Sequence, residues 1–147
     1  FVCEQPYVDG SNLGVMGLSL GGTMTTFMAL YDKRFKAVDI ICYAGPWHQI
    51  AFRTYNVCGS QLTPGIYDLV DVADFQGLIA PRPLLVACGG GETSEFLRQT
   101  QLLWDAWPQV RRPEAAPLIV PAADHFSVLA EYADPQSALT RATPGLF

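Results

Sequence analysis

Residues 13–22 read Leu-Gly-Val-Met-Gly-Leu-Ser-Leu-Gly-Gly, and this stretch decides which fold the chain can adopt. Leu13 to Gly17 is a short apolar run typical of a buried strand, and Gly21 to Tyr31 has apolar side chains at helical spacing. Between them, Gly17-Leu18-Ser19-Leu20-Gly21 matches the G-x-S-x-G pattern, in which a serine lies on a sharp turn between a strand and a helix. We therefore predict that the Ser19 hydroxyl projects from the end of a sheet.

The rest of the chain continues this alternation of strands and helices. Apolar runs predict further strands at Ala37–Tyr43, Pro83–Cys88 and Pro117–Val120, and helical periodicity predicts helices at Ser94–Trp107, at Asp134–Ala142 and near Val70–Phe75. Such alternation indicates the α/β class, with a mostly parallel sheet flanked by helices in one domain of residues 1–147. Residues 44–76 are rich in glycine, proline and aromatic side chains, and we interpret them as a long connection that forms a cap or lid.

The composition argues against several classes of partner. The net charge is -5 and the basic residues are scattered, so neither nucleic acid nor an anionic membrane surface is expected as a partner. No apolar run approaches the roughly 20 residues of a membrane helix, and no signal peptide is visible, which favours a cytoplasmic location. The four cysteines match no usual zinc spacing, so no metal is expected; we interpret them as reduced, with one disulfide as the alternative.

A nucleophilic serine needs a base, and the chain holds only two histidines. Enzymes with an α/β-hydrolase fold order their triad as serine, acid and histidine, which favours His125, just after the last predicted strand. His48 lies in the long connection, where we expect it and Trp47 to contact substrate. The alternatives are a loop histidine that caps the next helix for His125, and a helix N-cap for Ser19.

The acid of such a triad should follow a strand end between the serine and the histidine. Glu92 follows the third predicted strand and a glycine run, so we predict that it orients His125. The alternative is a helix-entry residue, and the competing acids are Glu95 and Asp124. The backbone N–H of Leu20 is the expected oxyanion donor, because it lies at the N-terminus of a helix. The remaining carboxylates that we interpret as solvated loop charges include Asp68, Asp71 and Asp74.

Several longer stretches resemble known families. The stretches Gly17–Gly22, Ala37–Tyr43 and Ile79–Leu85 resemble the acetyl xylan esterase and dienelactone hydrolase branch of the α/β-hydrolase superfamily. The stretches Gly90–Gln99, Asp124–Phe126 and Ala133–Leu139 resemble kynurenine formamidase and its esterase relatives. The resemblance implies the C-terminal portion of an α/β-hydrolase fold, with Glu92 as the acid and His125 as the base of the triad.

These observations predict a serine hydrolase that cleaves small acyl or aryl esters or amides without metal or organic cofactor. The alternatives are an arylformamidase and a catalytically inactive scaffold. Only 18 residues precede Ser19, and the loop that supplies a second oxyanion N–H in this superfamily has no counterpart in them. We therefore expect a second chain, or an N-terminal half absent from this sequence, to complete the sheet.

Overall fold

The computed structural model of the chain describes residues 2–43, 45–48, 64–106 and 116–146. It contains a four-stranded sheet in the order β1-β2-β3-β4, with every neighbouring pair parallel. The strands are β1 (Leu13–Leu18), β2 (Phe35–Ile41), β3 (Leu84–Gly89) and β4 (Leu118–Val120). The helices are α1 (Leu20–Tyr31), α2 (Val72–Gly77), α3 (Ser94–Ala106) and α4 (Ala138–Ala142). The predicted α/β class and parallel sheet are confirmed.

Short 3-10 segments complete the described secondary structure. They are Val2–Glu4, Ile66–Asp68, Ser127–Ala133 and Thr143–Leu146. None of the helices within the described ranges is both long enough and apolar enough to cross a membrane.

The register of the sheet brings the carboxyl ends of all four strands to one edge. Ile41 of β2 pairs with Leu18 of β1 on one side and with Ala87 of β3 on the other. Ala87 in turn pairs with Leu118 of β4. The loops that follow the strands therefore meet at this edge, which is where ligands bind in open parallel α/β sheets.

Two clusters of buried apolar side chains cover the two faces of the sheet. Val38 and Ile40 of β2 belong to one cluster, whereas Ile41 belongs to the other, since successive side chains of a strand point to opposite faces. This burial on both faces explains why β2 is apolar almost throughout.

The last predicted helix begins later than expected. We predicted a start at Asp134, but α4 begins at Ala138 and the preceding residues form turns. The Asp134 carboxylate accepts a hydrogen bond from the Gln136 N–H, and the Ser137 hydroxyl accepts one from the Thr140 N–H as the true N-cap. Local hydrogen bonding of Asp134 therefore closes a turn in place of the first helical turn.

The described part of the 44–76 connection contains a capped helix. Asp71 is the N-cap of α2 and forms a capping box with Asp74, and it also accepts a hydrogen bond from the Trp47 N–H at 2.7 Å. Asp71 and Asp74 therefore belong to a helix start and not to a loop, and both accept hydrogen bonds from backbone N–H groups, although Asp74 is exposed as predicted. The cap or lid stays a prediction, since residues 49–63 lie outside the described ranges.

Candidate active site

Ser19 lies on the turn between β1 and α1 in an unusual backbone conformation. Its φ is 54° and its ψ is -114°, in a region that non-glycine residues rarely adopt. Its N–H donates to the Ile41 carbonyl at 3.0 Å, and its carbonyl accepts from the Thr23 N–H at 3.1 Å. The hydroxyl makes no capping hydrogen bond to α1, so the alternative of a helix N-cap is not what the structure shows. A strained serine whose hydroxyl does not cap the following helix is the local geometry expected of a nucleophile on this turn.

Two glycines make this turn possible because strand and helix approach closely there. A Cβ on Gly17 would overlap the backbone carbonyl of Gly21, and a Cβ on Gly22 would lie 2.6 Å from the Cβ of Tyr43. A Cβ on Gly21 would meet nothing within 4 Å. Close packing therefore requires glycine at Gly17, the first glycine of the G-x-S-x-G pattern. It does not require glycine at Gly21, the second one.

Glu92 and His125 are in direct contact. The Nδ1 atom of His125 lies 2.8 Å from Oε1 of Glu92. The Glu92 side chain is only 7% exposed and that of His125 is 27% exposed, so the carboxylate is screened from water while the imidazole reaches the surface. The alternatives of a helix-entry glutamate and a helix-capping histidine do not account for this contact.

The loops that carry these two residues are packed backbone against backbone. The N–H of Gly91 donates to the Ala123 carbonyl at 2.8 Å, and a Cβ on Gly89 would overlap that same carbonyl. The glycine run after β3 therefore lets the His125 loop approach until its imidazole meets Glu92.

The two competing acids are engaged elsewhere. One Asp124 carboxylate oxygen accepts from the N–H groups of Phe126 and Ser127 and from the Ser127 hydroxyl, all within 3.0 Å. These bonds hold the pKa of Asp124 below its usual value. Glu95 accepts from Arg98 and Gln99 one turn further along α3. Asp124 thus shapes the loop of the histidine, and Glu92 is the carboxylate that contacts it.

The His125 loop turns back toward β2, the neighbour of the strand that leads to Ser19. Cys42 directly follows β2, and its sulfur, a carboxylate oxygen of Glu92 and a ring nitrogen of His125 all lie within 4.8 Å of one another. The residue before Cys42 is Ile41, whose carbonyl accepts from the Ser19 N–H. Cys42 and Ile41 therefore link the serine turn to the Glu92–His125 pair.

Cys42 is a buried thiol that the sequence analysis did not single out as a site residue. It is 4% exposed and has a φ of 50°. A hydrogen bond with the Cys88 thiol, burial and the nearby Glu92 carboxylate raise the pKa of Cys42 above its usual value. Because the thiolate is the reactive form of cysteine, this environment disfavours Cys42 as a nucleophile.

Two aromatic rings that sequence reasoning missed flank the imidazole. The ring of Phe126 lies 5.5 Å from that of His125 and the ring of Phe96 lies 5.8 Å from it, measured between centroids. Phe126 is 81% exposed, which places an apolar surface beside the site. Its position next to His125 in the sequence was the available signal.

Leu20, Trp47 and His48 are the remaining site residues predicted from the sequence. Leu20 is the first residue of α1, so its N–H has no acceptor within the helix and is free to face an oxyanion. Trp47 is 3% exposed and packs in the core cluster that contains Tyr43 and Val72, and His48 is exposed. Substrate contact by Trp47 and His48 stays a prediction.

A buried polar contact fastens the segment after His125 to the sheet. The Tyr132 hydroxyl donates to Oδ2 of Asp39, in the middle of β2. Oδ1 of Asp39 has no hydrogen-bond partner among the described residues. Burial raises the pKa of Asp39 to about 6, although the hydrogen bond from Tyr132 acts in the opposite direction.

Comparisons with known proteins agree with this fold. Residues 1–65 match the family model described as the C-terminal part of the BAAT and acyl-CoA thioester hydrolases. A protein of Schizosaccharomyces pombe provisionally named a dipeptidyl aminopeptidase is 27% identical over 135 residues, which are 90% of this chain and 15% of that protein.

Solved structures of hydrolases superpose on most of the chain. A glucuronoyl esterase from Solibacter usitatus has a TM-score of 0.56 at 19% identity and covers 84% of this chain and 40% of its own. The acylaminoacyl peptidase of Pyrococcus horikoshii has a TM-score of 0.59 at 16% identity and covers 97% of this chain and 24% of its own.

The chain therefore has the α/β-hydrolase fold and corresponds to its C-terminal part, as the resemblance implied. It spans 15% of the yeast protein and 24% to 40% of these two solved structures. The two narrower branches named from the sequence stay predictions, as do the catalytic roles of individual residues.

Proposed function

We propose that this chain carries the nucleophile, base and acid of a serine hydrolase, with Ser19, His125 and Glu92 in these roles. The observation that supports the proposal best is the 2.8 Å contact between His125 and Glu92. It joins two loops at the sheet edge to which the strained turn of Ser19 also belongs. Esterases and a peptidase among the structural neighbours agree with hydrolysis as the class of reaction.

In this mechanism Glu92 holds the imidazole of His125 through Nδ1, so that Nε2 is left to accept a proton. The Ser19 hydroxyl adds to a substrate carbonyl and gives its proton to His125. The tetrahedral intermediate then expels the alcohol, which takes that proton, and an acyl-serine ester remains. Water activated by His125 hydrolyses this ester and restores the free serine.

The developing oxyanion needs donors that are fixed before the reaction. The N–H of Leu20 is one donor, because it lies at the N-terminus of α1, where the helix dipole also favours negative charge. In this mechanism a second donor approaches from beyond β1, because β1 is an edge strand of the described sheet and leaves that side open. Loss of one such donor typically costs about 2.7–4 kcal/mol of transition-state stabilisation, so activity depends strongly on that approach.

Small acyl or aryl esters are the substrates that the surroundings of His125 favour. The exposed ring of Phe126 and the ring of Phe96 present apolar surface to an acyl or aryl group. Both rings lie within 6 Å of the imidazole, so the reacting carbonyl would lie close to them.

The experiment is labelling with a fluorophosphonate probe, which reacts with an activated serine. We expect the wild type to be labelled, Ser19→Ala and His125→Ala to lose labelling, and Glu92→Gln to be labelled at least about tenfold more slowly. Ser11→Ala is the matched control, because Ser11 is an exposed serine whose hydroxyl bonds to Asp9 and whose loss should leave labelling unchanged.

Two results would count against the proposal. Wild-type protein that circular dichroism shows to be folded but that stays unlabelled would indicate that the turn of Ser19 has a structural role only. Labelling that persists in Ser19→Ala would place the reactive group elsewhere. If labelling follows the expected pattern, the rates of hydrolysis of an aryl ester and of a formamide would separate the ester hydrolase from the arylformamidase alternative.

A further inference from the structure

Three side chains with metal-ligand chemistry converge at the carboxyl edge of the sheet, each from a different strand end. Cys42 follows β2, Glu92 follows β3 and His125 follows β4. One potential ligand atom from each lies within 4.8 Å of the other two. The proposed hydrolytic mechanism uses Glu92 and His125 but gives no role to the Cys42 thiol.

We propose that Cys42, Glu92 and His125 form a binding site for a thiophilic divalent cation of the Zn²⁺ type. The set offers one sulfur, one carboxylate oxygen and one imidazole nitrogen. Thiolate and imidazole ligands select Zn²⁺ and similar cations, whereas Mg²⁺ and Ca²⁺ prefer sites made only of oxygen. Three protein ligands with an open fourth position are a common arrangement for Zn²⁺.

The geometry requires only a small adjustment. Bonds of about 2.0–2.3 Å to a tetrahedral Zn²⁺ separate neighbouring ligand atoms by about 3.3–3.8 Å. The 2.8 Å contact between His125 and Glu92 would therefore open by about half an ångström. The sulfur, which lies at most 4.8 Å from the other ligand atoms, would move inward by at most about 1–1.5 Å. Rotation of side chains can supply both movements without a change of fold.

The burial pattern gives the cation a route to the site. Cys42 is 4% exposed and the Glu92 side chain is 7% exposed, so both ligands lie on the inner side. The His125 side chain is 27% exposed and forms the outer side, from which the ion would enter. Binding replaces the thiol proton of Cys42 by the cation, and this proton passes to the buffer.

Binding at this site would switch off the hydrolase, and this consequence rests on the proposed function. A cation bonded to His125 and Glu92 breaks the contact that orients the imidazole and occupies a ring nitrogen. The imidazole is then unable to take the proton of Ser19. Metal binding itself does not depend on catalysis, so the two proposals can be tested separately.

The test uses Co²⁺ as a spectroscopic probe on the full chain under reducing conditions, with Zn²⁺ as the competitor. We expect one Co²⁺ per chain with a thiolate-to-metal charge-transfer band that Zn²⁺ removes. Calorimetry in two buffers of different ionisation enthalpy should show the release of about one proton per ion. Cys42→Ser and His125→Ala should each weaken binding at least about tenfold.

Matched controls replace two other cysteines and the other histidine of the chain. Cys3→Ser, Cys58→Ser and His48→Ala should keep the wild-type affinity and the charge-transfer band. Wild-type affinity in Cys42→Ser, with the thermal midpoint retained, would overturn the proposal. So would loss of the band in Cys3→Ser or Cys58→Ser, because the metal would then bind another thiol.

Fluorophosphonate labelling separates this proposal from the proposed function. Zn²⁺ should slow labelling of the wild type, and the ratio of the rates without and with Zn²⁺ should fall toward one in Cys42→Ser. A chain that binds Co²⁺ as described but is never labelled would overturn the hydrolase and leave the metal site standing. Labelling that Zn²⁺ does not slow, in a chain that binds no Co²⁺, would overturn the metal site alone.

Discussion

Replacement of Asp39 by asparagine should change how the stability of the chain depends on pH. Asp39 is 1% exposed, and burial raises its pKa from 3.8 to about 6. A carboxyl whose pKa is higher in the folded state binds its proton more tightly there than in the unfolded chain. Its stabilising contribution is therefore fully present below pH 3.8 and is lost as the pH rises through about 6. Asp39→Asn cannot ionise, so this loss should disappear.

The magnitude follows from the two pKa values. One pKa unit corresponds to about 1.4 kcal/mol, so a change from 3.8 to about 6 corresponds to about 3 kcal/mol in the free energy of unfolding. The asparagine amide places a new donor near Oδ1, which has no partner among the described residues, and an unpaired donor costs about 1–3 kcal/mol at every pH. The quantity to predict is thus the pH dependence. Relative to the wild type, Asp39→Asn should gain about 2–2.5 kcal/mol between pH 4 and pH 8, because the unfolded carboxyl is already partly ionised at pH 4.

Urea denaturation followed by circular dichroism, at intervals between pH 4 and pH 8, measures this difference. The other carboxylates titrate in both proteins, so their effects cancel when the wild type is subtracted from the variant. Tyr132→Phe is the matched control, because it removes the hydrogen bond to Asp39 but keeps the titrating carboxyl. Tyr132→Phe should retain the decrease in the free energy of unfolding with rising pH. This decrease should occur at higher pH, because the hydrogen bond from Tyr132 lowers the pKa of Asp39. A difference between Asp39→Asn and the wild type that stays constant across this range would refute the reasoning.

Further substitutions test the close packing beside the site and the N-cap of α4. Gly17→Ala should lower the free energy of unfolding by about 1–3 kcal/mol in urea titrations, because its Cβ would overlap the helix backbone, whereas Gly21→Ala has open space and should change it by no more than about 1 kcal/mol. Gly89→Ala would push Ala123 and the histidine loop away, and should slow fluorophosphonate labelling by up to about 100-fold while far-ultraviolet circular dichroism stays native. Ser137→Ala removes the N-cap of α4 and should cost about 1 kcal/mol in the same urea titrations.

Features encoded within a short stretch of sequence were predictable. The apolar run before Ser19 and the helical spacing after it predicted β1 and α1 to within about one residue. The pairing of Glu92 with His125 was predictable as well, because each residue follows a strand and parallel strands end at one edge. The first prediction depends only on neighbouring residues in the sequence, and the second depends only on the geometry of a parallel sheet.

Features that depend on partners distant in the sequence were not predictable. Asp39 interrupts a run that we interpreted as apolar, and its partner Tyr132 lies 93 residues further along the chain. The role of Asp71 depends on the Trp47 N–H, 24 residues before it. The proximity of Cys42 to Glu92 and His125 was not predictable either, because the three residues follow three different strands. Local sequence patterns do not predict which distant side chains are in contact in the folded chain.

Backbone strain in the described residues is concentrated where the chemistry is expected. Ser19, Cys42 and Ala122 are the non-glycine residues with positive φ in the described ranges, and each lies within two residues of the carboxyl end of a strand. Such conformations cost on the order of 1–3 kcal/mol each, so they persist only where the surrounding structure holds them in place. Here the pairing of Ser19 with Ile41 and the packing of Gly89 against Ala123 provide that support. The sheet therefore stabilises the strained conformations at its carboxyl edge, where it holds Ser19, the buried thiol of Cys42 and the loop of His125 in fixed positions.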